Sequence, residues 1–438
     1  MAGIANIHKI PELRRRLLFT LGVIAVYRVC AHIPVPGIDS ALLTQAMSEQ
    51  AGTVFGMLNT FSGGAFFRMS IIGLGIMPYI TASIILQLLG VVIPFLEQLQ
   101  KEGDLGRKKI NQYTRYLTVG LCAAQAIGVG VWLSRMRVGN ISIVPEPGML
   151  FLITAMFTLT AGTIFIMWLG ELITERGIGN GISLIIFFGI VDGLPNNLAS
   201  TLTLWRTGQI NFFEIIGLVI LMVAVIAGII FVERAHRRIP VQYPGRTIGR
   251  KMYKGVKTHL PLKINTSGVI PPIFASSLLS FPMTFSQFFP MENPLFDWIK
   301  TALSPLSWEY NSLYGIMIIF FAFFYTAVVF NPIDVAENLK RHGGYIPGVR
   351  PGQNTGEYID RVLTRLTTVG ALYLAVVCIL PSLLINAAHI SFYFGGTSLL
   401  IVVGVAMDTA QQIEAHLLAR SYDGFLGPKG PKIKGRRR

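Results

Sequence analysis

The chain has 438 residues, of which 52% are hydrophobic and only 13% charged, with a formal net charge of +15. A soluble domain carries about 25% charged residues, so this chain cannot cover a globule with charge and reads as one membrane domain with short loops. Its three cysteines, Cys30, Cys122 and Cys378, stand singly in apolar stretches, which excludes a disulfide framework and a cysteine-based metal motif.

About ten apolar stretches are expected to cross a bilayer: 17–35, 71–94, 113–134, 149–172, 180–195, 212–232, 265–288, 312–331, 366–386 and 393–415. Backbone groups in lipid must bond within their own segment, so each is expected as a helix. A helix needs about 20 residues to cross the hydrocarbon, and 180–195 is short by that measure. No cleavable signal peptide is expected, because the first apolar stretch is long and leads into further spans. Most of the 37 Lys and Arg fall in alternate gaps: Lys9 with Arg14 to Arg16, then residues around 101–115, Arg176, 233–264, 332–365 and the tail. Basic residues stay on the cytoplasmic side, so both termini are expected there. The same bias accounts for the net positive charge without nucleic acid.

Residues 54–68, VFGMLNTFSGGAFFR, break the pattern. They are apolar but too short to cross, they contain Ser62-Gly63-Gly64, and they end at Arg68 just before a full span. A broken segment at membrane depth is tolerated only inside protein or beside a water-filled cavity. Two readings stay open: a segment folded back into an enclosed cavity, or an amphipathic helix on the outer leaflet.

Two cytoplasmic loops, 233–264 and 332–365, are unusually long. Alternation around Arg238 to Tyr243 and around Arg250 to Val256 predicts a protruding hairpin with Pro244-Gly245 in its connection. The run Tyr345 to Gly352, YIPGVRPG, cannot be helical throughout. Such length and turn chemistry on one face suggest a docking platform beyond mere anchoring.

Catalytic and ion-coupled membrane proteins keep ionisable residues inside their spans despite the cost. Here the span centres are almost free of charge. Glu171 and Glu233 sit at cytoplasmic span ends, Asp192 at the outer end of the fifth span, and Asp408 and Glu414 in the inner half of the tenth. No zinc-protease, P-loop or serine-hydrolase motif occurs, and His389 stands alone, so neither an enzyme nor a cofactor is expected. A polytopic solute transporter remains the alternative on composition alone, and an insertase or scaffold without a through-pore is a third reading. Ile76 and Ile80, and again Ile182 and Ile186, lie four apart on one helix face, a spacing that by itself means ordinary packing or lipid contact.

The motifs are more specific. GIMPYI followed by ASIILQLL, KEGDLGRKKINQYTRY, MWLGELITERGIGNGIS, THLPLKIN with GVIPPIFASS, FFYTAVVFNP, GVRPG, RLTTVGALY and FYFGGTSLLIVV run from Arg14 to about Ala410. On these the chain resembles the SecY/Sec61-alpha family, the channel-forming large subunit of the bacterial Sec translocon. The resemblance implies an all-α membrane protein of ten helices in two inverted halves, 1–196 and 197–438, around an hourglass pore. It implies a plug at 54–68, with Phe61, Ser62, Gly63, Gly64 and Arg68. A pore ring falls on Ile76, Ile80, Ile182, Ile186, Ile273 and Ile401. A lateral gate between the second and seventh spans would carry Thr81, Gln87, Asn265, Ser276, Ser277 and Phe281. Arg250, Lys251 and Arg350 match positions that dock a motor or ribosome. The implied partners are the small membrane subunits SecE and SecG, the SecA motor ATPase, the ribosome, signal sequences and nascent chains, and the lipid bilayer. The implied location is the bacterial cytoplasmic membrane. The chain departs from the family pattern in the outer loop at 289–311, in the tail PKGPKIKGRRR, and in Phe66-Phe67-Arg68 after the plug glycines.

Overall fold

The computed structural model describes residues 11–48, 54–138, 141–208, 211–244, 246–248, 251–253, 255, 257–288, 307–388 and 396–426. Arg250, His389 and the tail beyond residue 426 lie outside these, as do the side chains of Lys251 and Phe281. The helices are α1 (Pro11–Cys30), α2 (Ser40–Ser48), α3 (Val54–Ser62), α4 (Met77–Val92), α5 (Pro94–Lys101), α6 (Asp104–Arg135), α7 (Met149–Arg176), α8 (Gly181–Arg206) and α9 (Phe212–Arg234). They continue with α10 (Ile270–Phe288), α11 (Trp308–Val329), α12 (Pro332–Arg341), α13 (Gln353–Ala388) and α14 (Gly396–Leu426). Short strands β1 (Arg137–Val138) and β2 (Ile141–Ser142) form one pair, and β3 (His236–Gln242), β4 (Arg246–Ile248), β5 (Lys251–Tyr253) and β6 (Lys257–Lys263) follow α9.

Each expected apolar stretch overlaps a helix. Five helical stretches among the described residues are long and apolar enough to cross a bilayer: 104–135, 149–176, 212–234, 308–341 and 353–383. The chain is therefore a mostly helical, multi-pass membrane protein. Boundaries differ from expectation where backbone chemistry intervenes. Residues 71–76 form turns instead of the start of a span, and α4 begins beside Pro78, whose fixed φ suits a first helical turn. It stops at Ile93, which is extended with ψ 113° because Pro94 follows, and α5 leaves at a 100° bend. Conversely, α8 runs through Pro195 to Arg206 and exceeds the short span expected.

The chain forms two compact units, residues 1–196 with 405–438, and residues 197–404. In the first, α6 packs on α4, α5 and α7, and α1 packs on α7. The Arg115 guanidinium grips Glu171 with Nε to Oε1 at 2.9 Å and Nη2 to Oε2 at 2.7 Å, tying α6 to the C-terminal part of α7. Such bidentate charge-assisted bonds fix geometry as well as adding energy. In the second unit α11 packs on α10 and α13, and α12 packs on α13.

The predicted hairpin exists with a different pairing. The first strand pairs with 257–263, from His236↔Lys263 to Gln242↔Lys257, and not with residues 250–256. Pro244 lies beyond the first ladder, and a second one runs from Arg246↔Tyr253 to Ile248↔Lys251. The expected connection at Pro244-Gly245 falls in sequence between the two ladders, and Gly245 itself lies outside the described residues. Pro240 and Pro261 are tolerated because each strand of a two-stranded ribbon is an edge.

Candidate functional site

Residues 54–70 begin as the short helix α3. It ends where Ser62 meets Gly63 and Gly64, whose φ angles of +65° and +80° favour glycine. The turn that follows is wound on two polar side chains. Asn59 Oδ1 accepts from the Phe67 amide at 2.9 Å, and Ser62 Oγ accepts from the Phe66 amide at 3.1 Å. Val35 N donates to Met69 O and Ile71 N to Ile33 O, both at 2.9 Å, stitching the end of the segment to the chain after α1. Phe61, Ala65, Phe66 and Met69 are buried. Residues 61–70 are thus packed into protein, which decides against the surface-helix reading for this stretch.

The seat under this segment comes from α1 and α8. The Tyr27 hydroxyl donates to Ser62 O at 3.1 Å, and Arg28 Nη1 donates to Gly63 O at 3.2 Å. Arg28 Nη2 donates to Phe188 O at 2.6 Å, and the guanidinium pairs with Asp192 at 3.0 Å. Gly189 allows the approach: a Cβ added there would lie 2.9 Å from Phe61 O. Arg68 contributes a separate tie. Its Nη1 lies 2.7 Å from His32 Nε2, while His32 Nδ1 lies 2.9 Å from Arg28 O. A guanidinium only donates, so both contacts are met by a neutral imidazole protonated at Nδ1.

Sequence reasoning missed Tyr27, Arg28, Gly189 and Asp192 as a group. The available signal was a lone cation and a lone anion, Arg28 and Asp192, in the first and fifth apolar stretches.

Of the isoleucine positions, four belong to the first unit. Ile76 and Ile80 are buried one turn apart at the start of α4, and Ile186 is buried on α8. Ile182, half-buried one turn earlier, sits against Gly170 of α7. The other two belong to the second unit, Ile273 half-buried on α10 and Ile401 1% exposed on α14. A hydroxyl strut joins the helices that carry them: Tyr314 on α11 lies 2.7 Å from Thr397 Oγ1 and donates to Pro272 O at 3.4 Å.

The polar gate candidates bond close to home. Thr81 donates to Met77 O at 3.0 Å, Gln87 to Ser83 Oγ at 3.4 Å, and Ser276 to Ile273 O at 3.0 Å. The Ser277 hydroxyl is buried without a hydrogen-bond partner. Asn265 reaches further, donating to Glu233 on α9 at 2.6 Å and to Gly268 O at 3.1 Å.

The two long loops form one body. Gln242 and Tyr345 exchange backbone hydrogen bonds of 2.9 Å in both directions, and the Tyr345 hydroxyl donates to Gln242 Oε1 at 3.1 Å. Ile239, Val241 and Leu262 of the ribbon bury against Ile346 and Ile359 of the second loop and α13. Directly opposed residues share a ribbon face, so the other face carries His236, Arg238, Lys257, His259 and Lys263. Arg350 is exposed at the edge of this body, its carbonyl held by the Thr355 hydroxyl at 2.9 Å. Among the described residues no group of three or more His, Cys, Asp or Glu could hold a metal ion.

A family profile described as SecY matches residues 70–410. The protein translocase subunit SecY of Escherichia coli (strain K12) is 50% identical over 427 residues, covering 97% of this chain and 96% of that protein. Two solved structures share the fold. One concerns the plug domain of SecY and the closed state of its translocation channel, with TM-score 0.65, 19% identity and coverage of 98% and 99% of the two chains. The other is Sec61 in the canine ribosome–channel complex from the endoplasmic reticulum, with TM-score 0.59, 18% identity and the same coverage.

Proposed function

The chain belongs to the SecY family of protein translocase subunits, and from that premise we propose how its own residues conduct protein. The channel passes unfolded secretory proteins across the membrane and releases membrane segments sideways into lipid. Identity at half the positions across nearly the full length of both chains carries this reading, and it displaces the solute-transporter alternative.

The six isoleucines act as one constriction. A charged waist would bind the moving chain or pass ions, whereas a narrow apolar ring dewets, blocks ions and offers no hydrogen bond to a translocating peptide. Residues 54–68 act as the plug in the resting channel. The second and seventh spans act as the lateral gate, with Thr81 and Gln87 on one side and Asn265, Ser276, Ser277 and Phe281 on the other. The ribbon and the 345–359 segment act as the seat for a SecA-type motor or a ribosome, with Arg350, Arg250 and Lys251 as contacts. SecE and SecG complete the complex in the bacterial cytoplasmic membrane, with both termini in the cytoplasm. The subunit performs no catalysis; ATP hydrolysis or peptide elongation supplies the drive elsewhere.

The test is reconstitution of the full-length chain with its small subunits, a motor ATPase and a secretory precursor. ATP-dependent protection of the precursor from added protease is expected. A precursor that stays fully accessible, while a reference translocase protects it, overturns the proposal.

A further inference from the structure

We propose that Arg28 and Asp192 form a clasp that holds the plug in its seat, with Arg28 as the positioning residue and Asp192 as its anchor. This rests on the reading of 54–68 as a plug. The guanidinium stands where three elements meet. It donates to Gly63 O of the plug at 3.2 Å and to Phe188 O of α8 at 2.6 Å, and it pairs with the Asp192 carboxylate at 3.0 Å. Gly63 follows directly on Ser62, whose carbonyl takes the Tyr27 hydroxyl. The Tyr27 and Arg28 bonds to Ser62 O and Gly63 O both reach backbone carbonyls at the end of α3, where helix carbonyls lack partners of their own.

A clasp of this kind can release. Carbonyls at a helix end find water or other donors once the plug swings away, so the seat asks for no particular plug side chain. Asp192 is half-exposed, with 41% of its side-chain surface open, against 20% for Arg28. The anion faces solvent while the cation faces the plug. Nη1 serves both the Gly63 carbonyl and the Asp192 carboxylate, so the anion holds that arm on the plug, while Nη2 goes to the Phe188 carbonyl. The five N–H groups of an arginine in a rigid fork suit three simultaneous acceptors; a lysine head cannot span them in one plane.

The test uses the full-length chain with its small subunits in potassium-loaded liposomes, reading resting potassium efflux and the thermal unfolding midpoint. Arg28→Ala is expected to raise efflux at least about tenfold, because charge-assisted bonds to the plug are lost. Asp192→Asn is expected to raise it about threefold, the scale of a partly exposed ion pair. The exchange Arg28→Asp with Asp192→Arg restores the ion pair but leaves a carboxylate, which cannot donate, facing Gly63 O and Phe188 O. Efflux in the exchange variant as high as in Arg28→Ala supports the clasp. Efflux returned to the parental rate by the exchange means that the pair merely ties α1 to α8 and overturns it. Deletion of 54–68 separates the two ideas. No efflux on deletion defeats the plug reading itself. Efflux on deletion without efflux in Arg28→Ala, at an unchanged unfolding midpoint, defeats the clasp alone.

Discussion

The seat of residues 61–70 and the body formed by the two long loops differ in the forces that hold them. Residues 61–70 meet α1 and α8 through hydrogen bonds to backbone carbonyls and close glycine approaches, and they also bury Phe61, Ala65, Phe66 and Met69. The ribbon and the 345–359 segment close on an apolar core of Ile239, Val241, Leu262, Ile346 and Ile359. Hydrogen bonds exchange with water at modest net cost, roughly 1 kcal/mol each. An apolar core must be pulled into water whole, at about 25 cal/mol per Å² of exposed surface. On the proposed plug reading, the hydrogen-bonded part of the seat lets residues 61–70 leave and return, and their buried apolar side chains set the cost of leaving. On the proposed docking role, the apolar core of the loop body lets a platform bear a pushing partner without yielding.

The largest effect is expected from opening the platform core. Ile359 is fully buried, and Ile359→Ala should cost about 2–5 kcal/mol locally. Brief trypsin treatment should then cut the 236–263 ribbon several-fold faster, and an unchanged rate would break the contrast drawn above. Next comes Ile401→Asn, which buries an amide at a 1% exposed position at roughly 1–3 kcal/mol. Resting ion leak or export of precursors with defective signal sequences should rise; unchanged conductance with unchanged selectivity would remove Ile401 from the constriction. Gly63→Ala forces a side chain onto φ +65°, costing about 1–2 kcal/mol. The new Cβ would also press within 2.9 Å of Arg28 Nη1 and of Gly189 Cα. Resting leak should rise while the trypsin pattern of the ribbon stays put, since the two regions are built separately. Arg350→Glu should be the smallest in stability, within about 0.5 kcal/mol for an exposed site, yet it should stop motor-driven export. Normal secretion by this variant would refute its docking role.

Much of the fold was legible because hydrophobicity is a local property. The apolar stretches and the alternate basic gaps found every helix that α1, α4, α6 to α11, α13 and α14 supply. What escaped is non-local or depends on geometry. Tyr27 meets Ser62 across 35 residues and Arg28 meets Phe188 across 160, and no periodicity links such positions. The isoleucine spacings at Ile76/Ile80 and Ile182/Ile186 are identical to those of any packed helix, so their role came from motif resemblance alone. The ribbon pairing was misplaced because Pro244-Gly245 carries the chemistry of a turn. In the structure 236–242 pairs with 257–263, and a separate ladder joins 246–248 to 251–253, partners that local turn chemistry does not reveal. The union of the two loops was equally hidden, since Gln242 and Tyr345 are 103 residues apart.

The central claim is that residues 61–70 occupy a releasable seat which a translocating chain vacates. It is tested most directly by placing one cysteine at Phe67, half-buried in that segment, in a background with Cys30→Ser. Its reaction with a membrane-impermeant maleimide is then followed in reconstituted vesicles, at rest and with a secretory precursor arrested midway. A clear rise in labelling rate on arrest, reversed when the precursor is chased through, is the predicted result. Equal labelling at rest and during transit would contradict the account.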